Sequence, residues 1–289
     1  MNSPIALVTD STANLPKDLV RRYHITVVPV YVIFGDRSYR DGMEITTTAF
    51  YDQLEEYRRR TGQMPTTSQP SPADFETVYR GLAAEGVREI ISVHVSAKAS
   101  GTCQSAQMAA DAVRSEVRVH VVDSTTTSMH MGFMLLEAAQ ALEEGGDAQA
   151  ALEAIERVKA RSALYFAVTK VEHLEASGRT AGADKVAQAA VQVRPVVGLV
   201  DGVPQVVATE RTNKGALRRV LALVKAQAGE APVQRLAVVH ANIPEAAQGF
   251  AQEAAQALGV TETPWVVDFG PALAVHFGPG LLGLAVQWA

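Results

Sequence analysis

The amino-acid sequence predicts an α/β fold of two domains: a largely parallel sheet covered by helices over residues 1–160, and a mixed sheet with helices over residues 161–289. Three observations carry that expectation. In the first half, short apolar runs of strand length alternate with helical segments, the order that parallel strands need because their crossovers require a helix. After Gly145-Gly146 a charged helical stretch, 148–159, bridges into sequence of different character. Asp201-Gly202 then separates two apolar runs, and that dipeptide suits the tight turn of an antiparallel hairpin.

Taken in order, the first strand is expected at 5–9, and a helix at 17–23 is opened by Pro16, whose fixed φ suits a first helical position. Residues 25–34 read as β-rich and turn at Gly35-Asp36. A helix near 50–60 leads to a polar, Pro-rich loop over 64–72. There Ser71-Pro72-Ala73-Asp74 supplies a start for a helix at 75–84, which Gly86 stops. Residues 89–106 organise the chain. Ile90, Ile91, Val93 and Val95 make a mostly buried strand, Ser100-Gly101-Thr102 a hydroxyl-rich turn, and 104–114 a helix of small residues. Such a turn presents unpaired N–H groups at a helix N-terminus, suited to a carboxylate or phosphate, and Gly101 lets a ligand approach the backbone. Equally, Ser100 or Thr102 serves as an ordinary helix cap. A strand at 117–122, a Thr-rich turn opened by Asp123-Ser124 and an amphipathic or buried helix at 129–142 complete this half.

In the second half a strand is expected at 164–168. Thr169-Lys170-Val171-Glu172 has capping-box spacing for a short helix ending at Gly178. The hairpin spans 195–200 and 206–208, with Pro204 qualifying its second strand. Helices at 213–226 and 245–258 flank a strand at 236–240, and 265–267 and 274–286 supply further strand, the latter interrupted by Gly278-Pro279-Gly280.

Composition excludes several function classes. The net charge is −5 and the 26 basic residues are scattered, which leaves no nucleic-acid footprint. One cysteine, Cys103, fits a reducing compartment, and the N-terminus lacks the pattern of a signal peptide, so a cytoplasmic location is expected. No apolar run is long enough for a transmembrane segment. No phosphate-cradling Gly-x-x-x-x-Gly-Lys loop occurs, and no cofactor is implied. The seven histidines are dispersed and a lone cysteine cannot build a thiolate site, so no metal is expected. A Gly-x-Ser-x-Gly elbow is absent, although Ser100 could pair with a distant histidine in three dimensions. Asp10-Ser11-Thr12 and Asp123-Ser124 follow strands, where an Asp is either a phosphoryl-accepting nucleophile or a turn organiser.

The segments Val8-Thr9-Asp10-Ser11-Thr12, Thr67-Ser68-Gln69-Pro70, Ser100-Gly101-Thr102 with Gln104-Ser105-Ala106, Val122-Asp123-Ser124, Gly178-Arg179, Arg194-Pro195, Asp201-Gly202 and His276-Phe277-Gly278-Pro279-Gly280 stand in the order expected of the DegV family, which nearly the whole chain resembles. The resemblance implies a two-domain carrier, not an enzyme. It would bind one long-chain fatty acid between its domains and present the carboxylate to a fatty-acid kinase protein, its partner. It implies that Thr67, Ser100 and His276 hold the carboxylate and that Arg179 occupies the basic position of the Gly-Arg motif. The surface Arg211 would engage the kinase. The rival expectation is an acyl- or phosphoryl-transfer enzyme using Ser100, Asp10 or His276.

The chain also departs from that family's usual pattern. Ala99 stands where Leu is common, Cys103 where an aromatic is common, and Phe277 in place of a small hydroxyl residue. The first two remove bulk beside the head group and bear on acyl-chain preference. Cys103, just inside a helix N-terminus, reads either as a thiolate or as a small packing residue. His276 would, without the resemblance, be an ordinary core histidine.

Overall fold

The structure is a computed structural model and describes residues 4–188 and 193–289. The first half runs β1 (Ile5–Asp10), α1 (Lys17–Arg22), β2 (Thr26–Val28), β3 (Tyr31–Phe34), β4 (Arg37–Arg40), α2 (Thr47–Thr61), β5 (Thr66–Ser68), α3 (Pro72–Ala84), β6 (Glu89–His94), α4 (Thr102–Val113), β7 (Arg118–Asp123), α5 (Ser128–Glu143) and α6 (Ala148–Ala160). The second runs β8 (Ser162–Ala167), α7 (Val171–Ser177), α8 (Ala183–Ala187), β9 (Arg194–Val200), β10 (Val203–Glu210), α9 (Asn213–Ala228), β11 (Val233–His240), α10 (Pro244–Leu258), β12 (Trp265–Asp268), α11 (Gly270–Phe277) and β13 (Leu282–Trp288).

The described residues form three sheets. The first is parallel with strand order β2-β1-β6-β7. The buried run of β6, from Ile90 to Val93, is apolar on both faces apart from Ser92, as a strand covered by helices on both sides must be. The second is mixed, ordered β10-β9-β8-β13-β11-β12, antiparallel throughout except between β11 and β12. The α/β class with one parallel and one mixed sheet is therefore as the sequence predicts. A small antiparallel sheet, β4-β3-β5, completes the first half. Among the described residues no helix is long and apolar enough to cross a membrane.

Helix α5 joins the halves. Met129, Met131, Phe133, Met134, Leu135 and Leu136 are all buried, because the helix packs against the parallel sheet on one side and β8, β11 and β13 on the other. A helix covered on both sides is apolar all round, which is why its sequence shows little amphipathic periodicity. On the margin of this contact Arg235 of β11 donates to Glu137 and to Gln140 of α5. One core then runs continuously from Leu7 and Ile91 to Phe166, Val239 and Ala285.

Several elements differ from the sequence expectation. Residues 274–277 are not strand but the end of α11. Pro271 sits in the first turn of that helix, and Ala272 to Val275 and Phe277 are all buried, so no alternation was available to tell helix from strand. The expected loop at 64–72 contains β5, too short and polar to read as strand until it pairs with β3. Thr169 does not cap α7. Its hydroxyl donates instead to the Pro279 carbonyl at 2.8 Å. Pro16 precedes α1 as its N-cap residue, and α8 was not anticipated. Ser71 and Asp74 do form the reciprocal capping box of α3.

Candidate functional site

The parallel sheet reverses its winding between β1 and β6, and open α/β sheets hold ligands at the carboxyl ends of their strands at such a point. A cavity of about 60 Å³ that opens to solvent lies there. Thr12 follows β1, Val95, Ser96, Ala99 and Ser100 follow β6, and Thr126 and Thr127 follow β7. Thr67, Ser68 and Gln69 come from β5 and its end. The opposite wall is built from the second half by Arg179, by Leu199 and Pro204 of the β9–β10 hairpin, and by Ala272, Leu273, His276 and Phe277 of α11.

Buried hydrogen bonds tie the loops of the first wall together. Asp10, fully buried, accepts from the Thr12 N–H at 3.0 Å and its hydroxyl at 2.5 Å, and from the Val95 N–H at 3.0 Å and His94 Nδ1 at 3.1 Å. Burial alone would push this carboxyl up, but His94, Thr12 and the Val95 N–H outweigh it and hold the pKa below the ordinary value. Asp10 therefore ties the loops after β1 and β6 together. Asp123 Oδ1 likewise accepts from the Ala97 and Thr125 N–H groups, a turn-organising role. The hairpin tip docks on the same loop: Asp201 and Gly202 both have positive φ, 50° and 82°, the pattern of a type I′ turn, and the Ser96 hydroxyl donates to the Gly202 carbonyl at 2.6 Å.

At the mouth, three residues far apart in sequence converge. Thr67 Oγ1 lies 2.8 Å from His276 Nε2, Arg179 Nη1 lies 2.5 Å from the same nitrogen, and Arg179 Nη1 donates to Thr67 Oγ1 at 3.2 Å. An arginine can only donate, so Nε2 is an acceptor and the imidazole is neutral with its proton on Nδ1. Burial, then the Arg179 charge and His173, push the His276 pKa down to about 3, in keeping with that state. His276 Nδ1 is buried with no hydrogen-bond partner among the described residues. β5 places Thr67 through its pairing with Val32 of β3, and α11 carries His276 in its last turn.

Ser100 lines the cavity, its hydroxyl 2.8 Å from Thr102 Oγ1 and accepting from the Thr102 N–H at 3.3 Å. Ser100 thereby satisfies the first N–H of α4, though it is not the cap residue. Gly101 is the cap residue, with an ordinary negative φ, and a Cβ there would lie 3.0 Å from Gln69 Nε2. The glycine thus admits the Gln69 side chain at this turn. Cys103 is half-buried, and burial pushes its thiol up to about 12, so it is a packing residue and not a thiolate. Arg211 is exposed at the bend before α9, away from the cavity lining. The sequence did not single out Thr12, Ser68, Gln69, Ser96, Thr126, Thr127, Leu199, Pro204 and Leu273 as lining residues. Four of them are hydroxyl residues following β1, β6 and β7, a placement that strand-end reasoning alone could have flagged.

Fold and site together define a class: α/β proteins with one parallel and one mixed sheet and an apolar cavity lined also by hydroxyls, an arginine and a neutral histidine. Residues 4–288 match the family described as "Uncharacterised protein, DegV family", and a DegV domain-containing protein of Streptomyces coelicolor is 35% identical over 287 residues, 99% of each chain. The chain belongs to the DegV family. Its fold superposes on a DegV family protein from Thermus thermophilus whose structure is described for fatty-acid binding, at 34% identity, TM-score 0.86 and 99% coverage of both chains. It is also similar to DegV of Bacillus subtilis, described as a fatty acid binding protein, at 29% identity, TM-score 0.87 and full coverage of both.

Proposed function

We propose that the protein is a carrier that binds one long-chain fatty acid between two domains, 1–160 and 161–289, and presents its carboxylate to a fatty-acid kinase for acyl-phosphate formation in the cytoplasm. The observation that supports this most is the convergence of Thr67, Arg179 and His276 at the mouth of a cavity with apolar walls, with Ser100 also in the lining. A carboxylate accepts several hydrogen bonds at once, and an arginine and two hydroxyls supply charge-assisted donors for it. His276 joins them by moving its proton from Nδ1, where it has no partner, to Nε2. The Thermus and Bacillus relatives, both described as binding fatty acid, support the ligand class.

The tail supplies most of the affinity. Burying roughly fourteen methylenes at about 0.8 kcal/mol each gives up to about 11 kcal/mol before ordering costs. The head group then sets orientation. An acyl- or phosphoryl-transfer reaction through Asp10, Ser100 or His276 is less well supported: Asp10 is fully buried with every bond of its carboxylate directed at the fold, and Ser100 Oγ pairs with Thr102 and not with an imidazole. Calorimetric titration of delipidated protein with palmitate and with methyl palmitate tests the reading. Tighter binding of the acid than of the ester is expected; equal binding of both, or binding of neither, would contradict it.

A further inference from the structure

Among the described residues the cavity has one phenyl ring in its lining, and that ring is packed against two others. Phe277 ends α11 and is only 4% exposed. Behind it stand Phe166 of β8 and Phe269, both fully buried, with centroids 4.9 Å and 5.6 Å from the Phe277 ring and 5.3 Å from each other. The planes meet at 79°, 62° and 60°, so the three rings form a closed triangle of tilted and edge contacts. The turn beyond is built on a glycine. Gly278 has a φ of 75°, and a Cβ there would lie 2.8 Å from the His173 ring. A Phe277 ring turning away from the cavity meets Phe166 and Phe269, whereas Ala99 and Ala272 contribute only single methyl groups to the lining.

Resting on the fatty-acid reading, we propose that Phe277 is a specificity-determining residue whose ring limits the cross-section of the acyl chain, so that the protein selects straight chains over methyl-branched chains of equal carbon number. Close-packed interiors do not collapse fully when a side chain is truncated, and the space left among apolar walls stays dry and accepts apolar groups. Phe277→Ala would leave such a space floored by Phe166 and Phe269. A methyl branch that fills it gains about fourfold in affinity for the one extra buried carbon, while an unbranched chain gains little.

The experiment is a calorimetric titration of delipidated wild type, Phe277→Ala and Phe277→Leu with palmitate and with monomethyl pentadecanoates branched near the carboxylate, at mid-chain and near the end. In wild type palmitate binds more tightly than every branched isomer. In Phe277→Ala the branched-to-straight affinity ratio rises about fourfold or more for at least one isomer, with Phe277→Leu intermediate. General loss of stability would weaken all ligands alike and leave the ratio unmoved. If Phe277→Ala does not fold, the Leu variant decides. Ratios unchanged from wild type in the folded variants overturn the inference; wild type that binds none of these acids overturns the fatty-acid reading itself, and this assignment with it.

Discussion

Gly202→Ala tests whether the hairpin tip holds the two walls of the cavity together. Gly202 has a φ of 82°, and a Cβ there would lie 2.7 Å from Ser96 Oγ and 3.5 Å from Thr125 Cβ. A side chain in the left-handed region costs about 1–2 kcal/mol. The Ser96 hydroxyl must also move from the carbonyl to which it donates at 2.6 Å, and Ser96 is buried, so losing that bond costs a further ~1–3 kcal/mol. The sum is about 2–5 kcal/mol. At about 2 °C per kcal/mol for a chain of this size, the melting midpoint should fall by ~4–10 °C. Scanning calorimetry measures it, and Ser96→Ala combined with Gly202→Ala completes a cycle. Removing the hydroxyl relieves the clash, so the two changes should couple by more than ~0.5 kcal/mol. A Gly202→Ala protein as stable as wild type, or strictly additive effects, would refute the docking argument.

Other perturbations address the site and its supports. Ser100→Ala and His276→Ala should each weaken palmitate binding roughly ten- to a hundredfold, the value of about 1.5–3 kcal/mol for a hydrogen bond to a charged acceptor, with circular dichroism unchanged; wild-type affinity in both would relocate the head group. Asp41 is buried beside α11, accepting from the Ala272 N–H at 3.4 Å, and burial pushes its pKa up to about 6 from 3.8. Because the folded value is the higher one, its contribution is present below pH 4 and lost as pH rises through 6. Wild-type stability relative to Asp41→Asn should therefore fall by about 2 kcal/mol between pH 4 and pH 7 in urea titrations, and a constant difference would contradict the burial argument. Arg211→Ala should leave fatty-acid affinity intact and slow acyl-phosphate formation with a cognate kinase and ATP. Lost lipid binding, or undiminished kinase support, would show that Arg211 has another role.

How much of this was legible in the residues varies with the physics of each element. The parallel sheet was readable because β1 and β6 carry apolar runs and helices lie between its strands, one of them, α3, with a clear start signal at Ser71 and Asp74. The hairpin was readable because Asp-Gly suits two successive positive φ values. By contrast, α11 is buried on nearly every side, so its pattern carried no period, and β5 is a strand only because β3 pairs with it. Thr67 and His276 are 209 residues apart, and no spacing rule brings them to 2.8 Å; only a family resemblance named them together. The cavity walls were illegible for a different reason. Leu199, Leu273 and Phe277 are the same residue types that fill the core, and apolar identity does not say which of them faces a ligand.

The central claim is that the protein binds a fatty acid as its resident ligand. Native mass spectrometry of the protein isolated from cells, followed by mass analysis of its organic extract, measures this directly. One added mass per chain is expected, matching a single long-chain fatty acid, and it should be depleted in the Ser100→Ala and His276→Ala proteins. Preparations that repeatedly carry no lipid and take up none when fatty acid is added would contradict the account.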